Sequence, residues 1–240
     1  MNLNEKVIVV TGSSKGLGRE LSIALSKMGA SIVVNYYHSQ KAAMETLEDI
    51  KIINKRVIAV KADVSNPKDV LFMYKKILQE FGKVDVLINN AGIGEGHLIN
   101  NMRVEAWEQT INTNLTGCFL CCKQFSKQMI KQRSGKIINI SSRIGELGEK
   151  GLSGYCASKA GINSLTKTLA KELARYNIAV NAICPGPIST ELNSNTCSVS
   201  YSSLFNNKYT ISDFINFTVL MASDKIKNVS GQIFQLDSRV

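Results

Sequence analysis

The sequence predicts one doubly wound α/β domain, a parallel sheet of about seven strands with helices on both faces. Three observations lead there. Short β-branched runs alternate with helix-length segments along the whole chain, no linker, repeat or low-complexity tract interrupts them, and a glycine-rich turn joins the first run to the first helical segment. With 240 residues and 44% hydrophobic content the chain can bury one sizeable core, which fits a single domain over residues 1–240.

Taken in order, Val7–Val10, 31–35, Val57–Lys61, 84–89, 136–140 and 179–183 read as strands, with a shorter seventh at 232–235. Most are continuous apolar runs rather than alternating ones, the pattern of strands covered by helices on both sides. Helical patterns fill the gaps at 18–28, 41–53, Pro67–Phe81, 107–131 and 155–176. The stretch 193–207 is rich in Ser and Asn and has no apolar period, so a substrate loop is expected at about 190–211.

No run approaches the roughly 18 uncharged apolar residues of a membrane span. The opening residues carry no basic region followed by an apolar stretch and a small-residue cleavage site, so a cytoplasmic protein is expected. Cys118, Cys121, Cys122, Cys156, Cys184 and Cys197 read as reduced, mostly buried thiols, because no second Cys or His pair stands at zinc-site spacing and both His38 and His97 are distant in sequence. No metal is expected. The net charge of +10 arises before residue 185, since 185–240 holds four basic and four acidic residues. Between Glu108 and Glu146 there is no acid, while Lys123, Lys127, Lys131, Arg133 and Lys136 fall there. The first three share a helix face, either a solvated surface or a landing patch for an anionic partner. No recognition motif for nucleic acid accompanies it.

Directly after the first strand comes Thr11-Gly12-Ser13-Ser14-Lys15-Gly16-Leu17-Gly18. Glycines there allow a tight turn and close approach of a pyrophosphate to backbone, and the helix that follows presents N–H groups and a positive dipole end. Lying between a strand and a helix at the start of a βαβ unit, the motif predicts dinucleotide binding. Enzymes using NAD place a carboxylate at the end of the second strand. Here the chain reads Asn35-Tyr36-Tyr37-His38-Ser39, with no acid before Glu45, and Lys15 lies in the neighbouring loop. NADP(H) is therefore expected in preference to NAD, with Tyr36 at the nucleotide.

Tyr155 and Lys159 stand four apart on one helix face, where an ammonium lowers a phenol's pKa and suits it to acid–base work. Alone that pair is a common accident of helices. Here Ser142 follows the 136–140 strand, Asn114 lies in Asn112-Thr113-Asn114-Leu115-Thr116-Gly117, Asn89-Asn90-Ala91-Gly92 ends the fourth strand, and Pro185-Gly186-Pro187-Ile188-Ser189-Thr190 follows the sixth.

In order and spacing these residues resemble the short-chain dehydrogenase/reductase family over essentially the whole chain, and within it the β-ketoacyl-[acyl carrier protein] reductases. The resemblance implies a Rossmann-like fold and roles for the matching positions. Tyr155 would donate the proton, Lys159 would hold the nicotinamide ribose, Ser142 would polarise the carbonyl, and Asn114 would hold a water of the proton relay. Asp63 and Val64 would approach the adenine, and Asn90, Ala91 and Gly92 would line the cofactor. Pro185, Gly186, Ile188 and Thr190 would contact its nicotinamide end. A basic residue at Arg133 would touch an acidic carrier protein. Relatives bury helices like those at 107–131 and 155–176 against partner subunits, so a homotetramer is expected, with a dimer as the alternative given the altered turn at Asp237-Ser238-Arg239.

Two departures bear on the substrate and the assembly. The segment after Thr190 lacks the group's usual Gly/Arg-rich stretch, and the family's Asp-Gly-Gly near the C-terminus reads Asp237-Ser238-Arg239. The reading is therefore reduction of a ketone, a 3-oxoacyl thioester first. The alternatives are a sugar, polyol, steroid or other small ketone, or a non-catalytic nucleotide-binding protein.

Overall fold

The computed structural model describes residues 2–186 and 209–237. Strand β1 (Val7–Val10) is followed by α1 (Gly16–Lys27), β2 (Ser31–Tyr36), α2 (Gln40–Ile53), β3 (Val57–Lys61), α3 (Pro67–Phe81) and β4 (Val86–Asn89). The second half runs α4 (Val104–Ile111), α5 (Gly117–Gln132), β5 (Gly135–Ile140), a short α6 (Ile144–Leu147), α7 (Ser153–Leu173), β6 (Ile178–Pro185), α8 (Ile211–Ala222) and β7 (Ile233–Leu236). All seven strands are parallel, in the order β3-β2-β1-β4-β5-β6-β7. The winding reverses between β1 and β4, which opens a crevice beyond the carboxyl ends of those two strands.

Successive strand residues face opposite ways, so each continuous β-branched run feeds two cores. On one side Ile8, Val10, Ile32, Val34, Ile88 and Ile138 pack with Leu21, Leu25, Ile50, Phe214 and Met221. On the other, Val7, Val9, Val33, Leu87, Ile137 and Val180 pack with Met73, Ile77, Phe125, Met129, Ile162 and the thiols of Cys121 and Cys122. The buried thiols take the place of small apolar side chains there.

Local signals set the helix ends. Asn66 caps α3 by accepting the amide of Lys68, Pro67 opens the helix, and Gly82 closes it at φ 72°. At α8, Thr210 and Asp213 form a capping box. This helix was not expected from the sequence, whose substrate loop extends to 211. Residues 190–208 of that loop lie outside the described residues, and Ile211 opens α8.

Two further features differ from expectation. The single helix expected over 107–131 is divided by a wide turn at Asn112–Thr116, whose pairing of the Gly117 amide with the Asn112 carbonyl spans five residues. Such π-type turns cluster at functional sites, and this one holds Asn114. Lys136, grouped with the surface cations in sequence, turns inward instead. Its ammonium donates to the carbonyls of Met221 (3.0 Å), Ser223 and Ile226 (2.6 Å), binding β5 to the end of α8.

A buried polar chain sets α7 on the sheet. Asn89 and Asn139 are cross-strand neighbours; Asn89 Nδ2 donates to Asn139 Oδ1 at 2.8 Å, and Asn139 Nδ2 donates to Thr166 Oγ1 at 2.9 Å. Each such bond, made away from water, is costly to break on one side only.

Candidate active site

The phosphate loop is built by the ends of β1, β2 and β4. Asn35, at the end of β2, bonds back to it. Its Oδ1 accepts the Gly12 amide at 3.1 Å, its carbonyl accepts the Ser13 amide at 2.9 Å, and its own amide donates to Ser13 Oγ. Thr46 Oγ1 holds the Ser14 carbonyl from α2 at 2.9 Å. From the other side Thr11 Oγ1 accepts the amides of Asn90 and Ala91, while Asn90 Nδ2 donates to the carbonyls of Thr11 (2.9 Å) and Gly12 (3.0 Å). Gly12 has φ 60°, and a β-carbon there would come within 2.7 Å of Ala91 Cα; one at Gly18 would come within 2.6 Å of the Gly12 carbonyl. Only glycine permits this turn.

Gly16 and Leu17 open α1 beyond Lys15, whose exposed side chain starts from extended backbone at φ −155°. The first-turn N–H groups of α1 thus meet the crevice with no acidic residue among them. A flat backbone turn, close approach and a positive helix end fit a dinucleotide pyrophosphate. Tyr36 is 8% exposed at the end of β2, beside Asn35. Asp63 Oδ1 accepts the amide and hydroxyl of Ser65 at 2.9 and 2.7 Å, which fixes the turn after β3, and buried Val64 touches Gly117 of α5.

The remaining groups converge at the carboxyl ends of β4, β5 and β6. Lys159 sits one turn after Tyr155 on α7, 3% exposed, with its ammonium donating to the Ile140 carbonyl at 2.8 Å and lying 5.3 Å from the centre of the Tyr155 ring. Burial pushes this lysine down to about 8. Desolvation pushes half-buried Tyr155 up to about 12, against the pull of its hydrogen bond with Ser142. The expected lowering of the phenol by Lys159 is not found in this arrangement, where desolvation outweighs the opposing pull of Ser142. The phenol therefore holds its proton at neutral pH, as a weaker acid than a free tyrosine.

Asn114 is buried where the wide turn meets α7 and the segment after β4. Its Nδ2 donates to the Ile93 carbonyl (2.8 Å) and to Ser158 Oγ (3.1 Å), and its Oδ1 accepts the Ile93 amide (2.8 Å). Gly92 passes within reach of both Asn114 and Lys159. At the end of β6, Pro185 leads into Gly186, whose amide donates to the Leu236 carbonyl at 2.7 Å. Arg143, next to Ser142, pairs at 2.9 Å with Asp237, a side chain only 3% exposed. Ile188 and Thr190 lie outside the described residues.

The structure thus brings Asn114, Ser142, Tyr155 and Lys159 to one end of the sheet, next to the loop of Gly12–Gly18. Arg133 stands elsewhere. It ends α5 at φ 51° and bonds the Arg175 carbonyl at 3.3 Å, just before β5, whereas Ser142 follows that strand. Sequence reasoning missed Asn35, Thr11, Ser158 and the Arg143–Asp237 pair. The one visible signal was Asn35 itself, a polar residue ending an apolar strand.

A phosphate loop at a topological switch point, with a tyrosine, lysine and serine beyond the adjoining strands, defines an oxidoreductase that uses a nicotinamide cofactor. The chain belongs to the short chain dehydrogenase family, whose model matches residues 6–198. It is 45% identical over 193 residues to a 3-oxoacyl-[acyl-carrier-protein] reductase of Synechocystis, covering 80% of this chain and 78% of that one. It is 37% identical over 238 residues to the 3-oxoacyl-[acyl-carrier-protein] reductase FabG of Staphylococcus epidermidis, covering 97% of each. The FabG of Staphylococcus aureus matches at 37% over 240 residues. No helix among the described residues is long and apolar enough to cross a membrane.

Proposed function

We propose that this chain is a cytoplasmic NADPH-dependent reductase that converts the ketone of a 3-oxoacyl thioester to a secondary alcohol. The observation that carries the chemistry is the convergence of Tyr155, Lys159, Ser142 and Asn114 beside the phosphate loop. The names of the relatives support the substrate. The absence of a carboxylate at the end of β2, where Asn35 is engaged with the loop and Tyr36 is buried, supports NADP(H) over NAD.

When bound, the nicotinamide supplies the hydride to the carbonyl carbon. The residues supply the rest. Gly12 to Gly18 and the start of α1 hold the pyrophosphate, and Asp63 and Val64 border the adenine. Asn90, Ala91, Gly92, Pro185, Gly186, Ile188 and Thr190 line the path toward the nicotinamide. Ser142 donates a hydrogen bond to the carbonyl oxygen and Tyr155 transfers its phenolic proton to the same oxygen. The new C–H and O–H bonds replace the π bond of the carbonyl, the C–O single bond remains, and the Tyr155 phenolate regains its proton from solvent. Lys159 lends positive charge beside the tyrosine and orients the ribose.

In the cell the thioester is carried by an acidic carrier protein that meets the Arg133 end of α5, and the enzyme works as a homotetramer, which light scattering at micromolar concentration reads directly. The substrate is tested by NADPH oxidation with carrier-linked and coenzyme A-linked 3-oxoacyl thioesters beside free ketones and sugars. Turnover at least about tenfold faster on the thioesters is expected; equal or faster turnover of the free ketones or sugars would overturn the substrate.

A further inference from the structure

We propose that Arg143 is a positioning residue: paired with Asp237 across the carboxyl end of β6, it holds the turn that carries Ser142 in register with the start of the 185–190 segment. The inference rests on the reading of Ser142 and Tyr155 as the groups that act on the carbonyl, and not on which carbonyl compound is reduced.

Strands β5, β6 and β7 lie side by side, with Ile140 opposite Ile183 and Pro185 opposite Leu236. Arg143 follows the end of β5 and Asp237 follows the end of β7, and Arg143 Nη1 donates to Asp237 Oδ2 at 2.9 Å. Neighbouring strands are about 4.8 Å apart, so the pair spans the end of β6, roughly 10 Å from the line of β5 to that of β7. The Asp237 carboxylate is packed on Gly186, where a β-carbon would come within 2.7 Å of Asp237 Cγ. The Gly186 amide in turn donates to the Leu236 carbonyl at 2.7 Å.

A second tie lies alongside, from Gln235 Nε2 to Glu146 Oε2. On its other flank the same turn is packed on α7. A β-carbon at Gly145 would come within 2.8 Å of Lys159 Cβ, and Ser141 Oγ donates to the Lys159 carbonyl at 3.0 Å. Residues 141–147 are thus held between α7, which carries Tyr155 and Lys159, and the end of β7. The α7 contacts place the turn against the tyrosine, and Arg143 places it against Gly186. A buried pair adds little net stability, because both ions give up water. With side chains 17% and 3% exposed, this one fixes geometry. Ser142 is the chain neighbour of Arg143 and its hydroxyl is bonded to Tyr155, so a shift of the arginine moves the group that polarises the carbonyl.

The test uses the full-length protein, NADPH and whichever carbonyl the wild type reduces. In Arg143→Ala, kcat should fall about tenfold or more, since a misplacement on the order of an ångström suffices, with KM for NADPH within about threefold. Guanidinium ion at millimolar concentration should restore part of that kcat by pairing with Asp237. Arg143→Met/Asp237→Asn removes both charges of the pair and so spares the fold. Its kcat should be about as low as that of Arg143→Ala, and guanidinium should not raise it. Where Arg143→Ala fails to fold, the double variant decides alone. Wild-type kcat in the double variant, single losses that multiply when combined, or guanidinium acting equally on both variants would overturn the proposal. Failure of the thioester assignment would instead appear as wild-type inactivity on thioesters alone, and failure of the catalytic reading as near-normal turnover by Tyr155→Phe.

Discussion

Lys159 donates to the carbonyl of Ile140 at 2.8 Å while standing 5.3 Å from the ring centre of Tyr155. Ile140 is the last residue of β5, the strand that delivers Ser142, so one strand end places the serine and orients the lysine. The ammonium meets the negative face of the phenol ring, a cation–π contact rather than a bond to the hydroxyl.

This arrangement predicts a pH profile. Below about 8 Lys159 carries its charge, and above that it is neutral, whereas Tyr155 keeps its proton to about 12. Measured as kcat/KM for NADPH, which reports the free enzyme, activity should be level below the lysine's titration and decline as pH rises through it. A profile that stays flat well above pH 8 would show that Lys159 charge is not required.

Lys15 stands exposed at the start of α1, next to the strand end that lacks a carboxylate. NADPH should bind more tightly than NADH, and Lys15→Glu should narrow or invert the difference by repelling the 2′-phosphate. One charge-assisted contact is worth roughly 1.5–3 kcal/mol, or about one to two powers of ten in affinity. Equal wild-type affinities by fluorescence titration would refute the cofactor preference.

The inward-turned Lys136 predicts an effect on stability alone. Lys136→Met removes the donor shared by three carbonyls at the end of α8. The loss should be about 1–3 kcal/mol, seen as a lower urea midpoint with KM for NADPH unchanged. An unshifted midpoint would contradict the bracing role.

Arg133, Lys123, Lys127 and Lys131 are exposed along α5, with Lys123 over the Phe119 ring. Lys131 and Arg133 lie at the end of α5, just before β5 and so toward the end of the sheet away from Ser142, and their effect should be on encounter rather than chemistry. Arg133→Glu should raise KM for a carrier-linked substrate several-fold at low salt and leave a small soluble thioester unaffected. An equal change for both substrates would make the residue structural, and no change for either would leave the stripe a solvated surface.

Much of this architecture was legible because its signals are local. Apolar runs of strand length, the glycine turn after β1 and the four-residue step from Tyr155 to Lys159 state their geometry in the sequence. What escaped depends on the fold. Asn35 and Thr11 have meaning only once β2 and β4 flank β1, and Ser158 only once α7 lies against the turn holding Asn114. That turn was hidden because Asn112–Thr116 preserves helical periodicity while widening the helix by one residue. The Ser/Asn-rich run before it drew the loop expectation into α8, whose capping box at Thr210 and Asp213 was the available signal. Lys136 could not be told from the surface lysines, because its partners are main-chain carbonyls some 85 residues away.

The central claim is that the Tyr155 proton completes the reduction. Tyr155→Phe keeps the ring packed and removes only the hydroxyl, so fold and NADPH affinity should be retained. The measurement is single-turnover NADPH oxidation by the variant with saturating 3-oxoacyl thioester. A fall of at least about 100-fold in rate, the usual scale of a general acid, is the predicted result; near-normal turnover with cofactor binding intact would contradict the mechanism.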